Sequence, residues 1–368
     1  MTANATMVES VQSPLPAPLP EPLPATFASP LLARLQQFPL RRVATPFGQV
    51  AYRHSGAAAQ ATHVLLHGIG SSSANWLAQL EAAALDPAFC LLAWDAPGYG
   101  SSDALSVDTP TAADYAQRLW AWLDAMSARL APEVKRGAAS DAANAMVDSR
   151  LTLVGHSLGC LMAASAAQQS PQRVKRLILL APAQGYARAQ ADERDKKLQD
   201  RLDTLARLGP AGMAQARGAA MLSPSASADQ VAFVQQAMAQ ISPAGYAQAA
   251  RMLAGGDLLS DLSHFADQAA PSACPVWVAS GSADSITPPE GCQQVAAHIN
   301  APYVSLGAVG HACAVEAADD VTRLLGLSAS AASSGMPAPT SDTLIAISTT
   351  TSAISTTTSA IPKAKVAS

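Results

Sequence analysis

The sequence predicts an α/β fold: a mostly parallel central sheet flanked by helices, into which an all-helical segment is inserted. Short apolar runs of strand length alternate with segments of helical periodicity through most of the chain. One of these runs, Leu151-Thr152-Leu153-Val154, passes through Gly155-His156-Ser157-Leu158-Gly159 straight into the Ala-rich helical stretch Cys160 to Ala167. Residues 184–270, by contrast, hold helical patterns and no strand candidate.

The elements follow in order. Residues 1–37 read as a Pro-rich arm, because Pro14, Pro16, Pro18, Pro20, Pro22 and Pro24 occupy alternate positions. Proline there removes half the backbone donors and fixes φ, which leaves an extended, polyproline-like spacer expected to be disordered. Arg41 to Thr45 and Gly48 to Arg53 predict a hairpin turning at Pro46-Phe47-Gly48. Thr62 to Leu66 is the next strand, ending in His67-Gly68-Ile69-Gly70, and Ser73 to Ala84 has helical spacing. Phe89 to Trp94 is a further strand, closed by Asp95-Ala96-Pro97-Gly98-Tyr99-Gly100. Residues 111–131 give the clearest helix, with Tyr115, Leu119, Trp122, Leu123 and Met126 on one face.

Pro132 to Ser149 lacks a sustained period and reads as a surface insertion. Val174 to Leu180 is another buried strand and closes the first part of the core, 38–183. Within 184–270, Leu198, Leu202, Leu205 and Leu208 repeat at helical spacing before a break at Gly209-Pro210. Strands resume at Cys274 to Ala279 and Tyr303 to Leu306, with helices from Pro289 to Ile299 and Val315 to Leu325, so 271–327 is the second part of the core. Past this, 328–368 is an Ala/Ser/Thr-rich tail in which Ala346 to Ser352 repeats unchanged as Ala353 to Ser359. Small polar repeats bury too little apolar area to offset ordering, so the tail is expected to be disordered.

Bulk properties narrow the function. A formal charge of −4 over 368 residues argues against a nucleic-acid partner or a polybasic membrane surface. Cys90, Cys160, Cys274, Cys292 and Cys313 are odd in number and lack C-x-x-C spacing, which fits reduced thiols rather than disulfides or a zinc site. No apolar run approaches a bilayer span and the start lacks a secretory pattern, so the cytoplasm is the expected location.

Four polar groups follow predicted strands: His67, Ser157, Asp284 and His311. Function in open parallel sheets collects at the C-terminal strand ends. A serine hydroxyl needs a base to take its proton, and a carboxylate on the base's other nitrogen fixes the tautomer. The order Ser157…Asp284…His311 is the one associated with a strained strand-to-helix nucleophile turn. Gly155 and Gly159 would allow that turn, and the Leu158 N–H at a helix start would favour developing negative charge.

These stretches together resemble the α/β-hydrolase-fold serine hydrolases. Leu66-His67-Gly68-Ile69-Gly70, Asp95 to Ser102, Gly155 to Gly159, Gly281 to Pro288 and Gly310-His311 carry the resemblance, in the family's order, across residues 62–311. It implies Ser157 as nucleophile, His311 as base, Asp284 as orienting acid, and the amides of Ile69 and Leu158 as oxyanion hole. It makes 184–270 the helical cap, and it implies no cofactor and no metal.

The leading expectation is hydrolysis of a carboxylic ester or lactone through an acyl-enzyme, with a small-molecule acyl substrate. Ser at the elbow separates the chain from the haloalkane dehalogenases and epoxide hydrolases that the family resembles, which carry Asp there. Pro243 to Ala250 with Asp257-Leu258 has some resemblance to enol-lactonase caps. Carbon–carbon bond hydrolysis of ring-cleavage products is a second expectation, though Ala312 stands where those relatives carry Trp. Transfer to another acceptor, including peroxide, would use the same triad, and a non-catalytic ligand binder is the alternative of another class. His67 and His156 read as structural, Asp95 as a turn carboxylate and Cys160 as a packed thiol. Asp257 is the competitor for the acid role, and Trp76, Trp94 and Trp277 read as core or pocket wall.

Overall fold

Alternation within the strands decides how the layers form. In the strand His63–Leu66 (β3), Val64 and Leu66 point to one face of the sheet and Leu65 to the other. In Cys90–Trp94 (β4), Leu92 and Trp94 share the first face, Leu91 and Ala93 the second. Strands that are apolar on both sides must be covered on both sides, which is the condition for a parallel sheet between helices.

The structure, a computed structural model, describes residues 29–58, 60–137, 150–268 and 274–328. The other strands are Arg41–Thr45 (β1), Gly48–Gly56 (β2), Leu151–His156 (β5), Val174–Leu180 (β6), Val276–Ser280 (β7) and Tyr303–Ser305 (β8). They form one eight-stranded sheet in the order β1-β2-β4-β3-β5-β6-β7-β8. Every neighbouring pair from β4 to β8 is parallel, and only β2 runs against the rest. The hairpin turns where the sequence places it, with Thr45 opposite Gly48.

The helices are Pro30–Leu35 (α1), Leu77–Ala84 (α2), Ala112–Gly137 (α3), Leu158–Gln169 (α4), Ala191–Arg217 (α5), Ala228–Ala239 (α6), Pro243–Gly255 (α7), Leu258–Gln268 (α8), Pro289–His298 (α9), Cys313–Glu316 (α10) and Ala318–Leu324 (α11). Helices α3, α4 and α8 pack together on the face that holds Leu66, Trp94 and Leu153, and α2, α10 and α11 cover the opposite face. Trp76 and Trp94 are buried in these layers, and Trp277 packs against the second. Helices α5 to α8 all fall between β6 and β7, with no strand among the described residues there.

Three sequence expectations are corrected. The arm was expected to be extended through residue 37, yet 30–35 is helical: Ser29 Oγ accepts from the Leu31 N–H, Pro30 opens the helix, and Leu35 and Phe38 are buried. Alternating proline ends well before this point. Helix α3 runs on to Gly137 instead of stopping before Pro132. A proline inside a helix costs about 3 kcal/mol, and the following Glu133, Lys135 and Arg136 are good helix formers. The break expected at Gly209-Pro210 is present: Gly209 adopts φ 63° and ψ 177°, outside the helical region, so α5 is two helical stretches meeting at a kink. The closing helix is two short ones, α10 and α11, interrupted at Ala317. The alternating prolines, residues 138–149 and the repeat-containing tail lie outside the described residues. Among the described residues no helix is long and apolar enough to cross a membrane.

Candidate active site

Crossing from β4 over β3 to β5 creates a topological switch point, where the chain leaves β3 and β5 in opposite directions and opens a crevice. Ser157 stands there, between β5 and α4, at φ 53° and ψ −115°. A serine in this region stores about 1–3 kcal/mol of strain, so its surroundings must impose it. Its N–H is held by Leu180 O at 2.9 Å, and a Cβ on Gly159 would lie 2.2 Å from Leu66 O. Gly155 is equally constrained, since a Cβ there would sit 2.7 Å from Cys160 N. The two glycines of the motif thus let α4 and β3 close around the serine.

Asp284 follows β7 and His311 follows β8. His311 Nδ1 lies 2.9 Å from Asp284 Oδ2, and both side chains are buried. Asp284 Oδ1 accepts from the N–H groups of Ile286 (2.8 Å) and Thr287 (2.9 Å). Thr287 Oγ1 stands 2.8 Å from Oδ2 and 3.2 Å from His311 Nδ1. Burial alone would raise the Asp284 carboxyl, but His311 and Thr287 outweigh it and hold it below its ordinary value. The carboxylate is ionised and turned toward the imidazole.

The His311 loop is fixed from three sides. Glu316 Oε2 accepts from Gly310 N at 2.8 Å and from Ser223 N at 2.9 Å. Ala312 N donates to Met221 O at 2.7 Å, and a Cβ on Gly310 would strike Leu222 backbone at 2.5 Å. His156 Nε2 stands 2.7 Å from His311 O, so its Nε2–H donates there. Burial first, then the His311 ring 4.9 Å away, pushes His156 down to about 3, and it stays neutral.

Ser157, His311, Ile69 and Leu158 all line one cavity of about 380 Å³. Its far wall comes from the segment between β6 and β7, including Tyr186, Arg201, Met213, Met221, Tyr246 and Leu253. Among the described residues no hydrogen bond joins Ser157 Oγ to His311, whose Nδ1 faces Asp284 and Thr287.

The remaining sequence candidates fall outside the cavity's chemistry. His67 donates from Nδ1 to Gly68 O at 2.8 Å and accepts from Ala96 N at Nε2, 3.0 Å away, so both nitrogens are used. Asp95 Oδ1 accepts from Ser73 N at 2.8 Å and braces the turn. Asp257 is engaged by Arg188 Nε at 2.9 Å from both carboxylate oxygens, and it caps α8 through Ser260 N. Cys160 donates to Gly155 O at 3.2 Å, and burial raises its thiol far from reactivity. All five cysteines are free and buried. Among the described residues no cluster of His, Cys, Asp and Glu could hold a metal ion.

The residues missed by sequence reasoning are those of the far wall and two braces, Thr287 and Glu316. Arg201 carried one signal: it falls three residues after Leu198 and four before Leu205, a charge inside an apolar stripe.

A family model described as the alpha/beta hydrolase fold matches residues 64–318, and the chain belongs to that family. Comparison with curated protein sequences gives no match. Among solved structures, it is similar to a thermophilic esterase from Thermogutta terrifontis described as malate bound, at 20% identity and TM-score 0.62, covering 78% of this chain and 97% of that one. The enol-lactonase from Burkholderia xenovorans is 19% identical with TM-score 0.61, covering 78% and 98%. A bromoperoxidase from Bacillus anthracis is 14% identical with TM-score 0.61, again over 78% and 98%. At these identities the likeness is one of fold.

Proposed function

We propose that the protein is a serine hydrolase that cleaves a carboxylic ester or lactone through an acyl-enzyme on Ser157. The observation that carries this is the buried Asp284–His311 pair opening onto the same cavity as a strained Ser157. With Nδ1–H donated to Asp284, His311 Nε2 keeps a lone pair and serves as base.

Ser157 Oγ attacks the acyl carbon and its proton passes to Nε2. The carbonyl oxygen becomes an oxyanion and takes the N–H groups of Ile69 and Leu158, the latter at the N-terminus of α4 where the helix dipole adds to the donor. Each such donor contributes about 2.7–4 kcal/mol to the barrier. The C–O bond then breaks and Nε2 returns its proton to the leaving oxygen. Water attacks the acyl-enzyme, gives its proton to Nε2, and Ser157 Oγ leaves with that proton as the acid is released. The segment between β6 and β7 acts as the cap that shields these steps.

Short 4-nitrophenyl esters test the assignment. Ser157→Ala is expected to lower turnover to the level of non-enzymatic background while thermal unfolding stays cooperative. Wild-type activity in that folded variant overturns it. A fluorophosphonate probe should label wild-type protein with one equivalent and leave the variant unlabelled.

A further inference from the structure

We propose that the acyl substrate carries a carboxylate of its own, and that Arg201 on α5 binds it across the cavity from Ser157. This rests on the hydrolysis proposed above and names its substrate class: a monoester, or an acid-bearing lactone, of a dicarboxylic acid.

The cavity wall holds three cations, Lys197, Arg201 and Arg217, and among the described residues no Asp or Glu lines it. Lys197 is already paired with Glu193 at 2.6 Å, near solvent. Acidic residues are abundant on the same helix, and they are spent elsewhere. Asp195 pairs with Arg194, Asp200 with Lys196, and Asp203 accepts from Gln199. Arg201 is left among these with no carboxylate within ion-pair distance among the described residues. Its Nη2 donates to Tyr186 Oη at 3.0 Å, and the groups acting on its charge are the phenols of Tyr186 and Tyr246.

Arg201 is half-buried in line with Leu198 and Leu205, so its guanidinium has left part of its hydration behind without gaining a counter-ion. A guanidinium offers five donors in a planar fork, and Tyr186 and Tyr246 engage part of it. A carboxylate fits what remains with paired, charge-assisted bonds. Arg217, also half-buried on this wall, has no ion pair among the described residues either, so the cavity carries two uncompensated cations and inorganic phosphate is the competing anion that the experiment below separates from a carboxylate. Met213, Met238 and Leu253 supply the apolar lining of the same cavity, suited to the methylene chain between the two acyl ends.

The experiment compares 4-nitrophenyl hemiadipate with its uncharged isostere, 4-nitrophenyl 6-methylheptanoate. Wild-type kcat/KM is expected to favour the hemiadipate by about tenfold or more, the order of one hydrogen-bonded charge pair. Arg201→Gln should erase that ratio chiefly through KM, and Arg201→Lys should restore part of it. A wild-type ratio near one, or a ratio unchanged in Arg201→Gln, overturns the assignment. Calorimetry of adipate on Ser157→Ala, with and without Arg201→Gln, reads binding without turnover, so a failure of the hydrolase proposal is seen separately. Loss of adipate binding in the double variant supports the site. Inorganic phosphate binding more tightly than adipate, and in the same Arg201-dependent way, overturns the carboxylate in favour of a phosphorylated ligand.

Discussion

At the scale of single residues, the proposed chemistry depends on which atom of Asp284 faces His311. Oδ1 is saturated by the N–H groups of Ile286 and Thr287, so only Oδ2 is left for the imidazole. In Asp284→Asn the same two amides would hold the carbonyl oxygen and turn the NH2 toward Nδ1. Two donors would then face each other, and the imidazole would adopt the tautomer whose Nε2 is protonated and unable to act as base. Turnover is expected to fall by about 10⁴-fold, as for the corresponding change in the chymotrypsin-type triad, with the unfolding midpoint little changed. A steady-state assay on the folded variant checks this; a rate within tenfold of wild type would remove Asp284 from the mechanism. The placement of Ser157, Asp284 and His311 at strand ends was legible in the sequence because each follows an apolar strand and glycines mark its turn. Glu316 and Thr287 were not, since a carboxylate on a short helix and a hydroxyl in a loop become braces only when the chain brings Gly310 and His311 to them.

At the scale of elements, all eight strands stand where the sequence places them. Strands β3, β4 and β5 were legible because two-sided burial leaves apolar runs, β1 and β2 because Pro46-Phe47-Gly48 marks the turn between them. Helix ends were less so. α1 depends on the burial of Leu35 and Phe38, a tertiary contact that local composition does not record. The cavity's far wall was illegible for the same reason: helices α5 and α7 each have a regular period, and nothing local says which face meets Ser157. The docking of α7 is specific. A Cβ on Gly245 would lie 2.0 Å from Gly98 O, and the Gln248 amide donates to Leu105 O and Val107 O at 2.8 Å. Gly245→Ala must push α7 off this loop, and it carries the cavity residue Tyr246 along. Overpacking of this kind costs about 1–3 kcal/mol, so the urea midpoint should fall and KM should rise. Gly255→Ala on the same helix meets nothing within 4 Å and serves as the comparison, expected to be neutral or stabilising. Equal effects of the two substitutions would mean that α7 is not held through Gly98.

At the scale of the whole molecule, buried histidines tie stability to pH. Burial, with Arg176 nearby, takes His63 down to about 3, and burial with His311 nearby does the same to His156. His67 is lowered as well, again through burial. Unfolded, each would titrate near 6.5, so below that pH the unfolded chain binds protons that the native fold refuses. The native state therefore loses stability as pH falls from about 6.5 toward 3, and the loss is complete only below the folded values. Asp261 acts in the opposite sense. Burial and Asp257 raise it to about 6, so its protonated native form favours folding as the pH falls through that value. It is partly exposed and offsets less than one histidine. The balance leaves at least one net proton taken up on unfolding near pH 5, a slope of about 1.4 kcal/mol per pH unit or more. Urea unfolding at pH 7 and pH 5 should show that drop. His63→Gln, which keeps a donor for Leu325 O, should flatten the slope by about one proton. A protein equally stable at both values would mean that these histidines take up protons without leaving the fold.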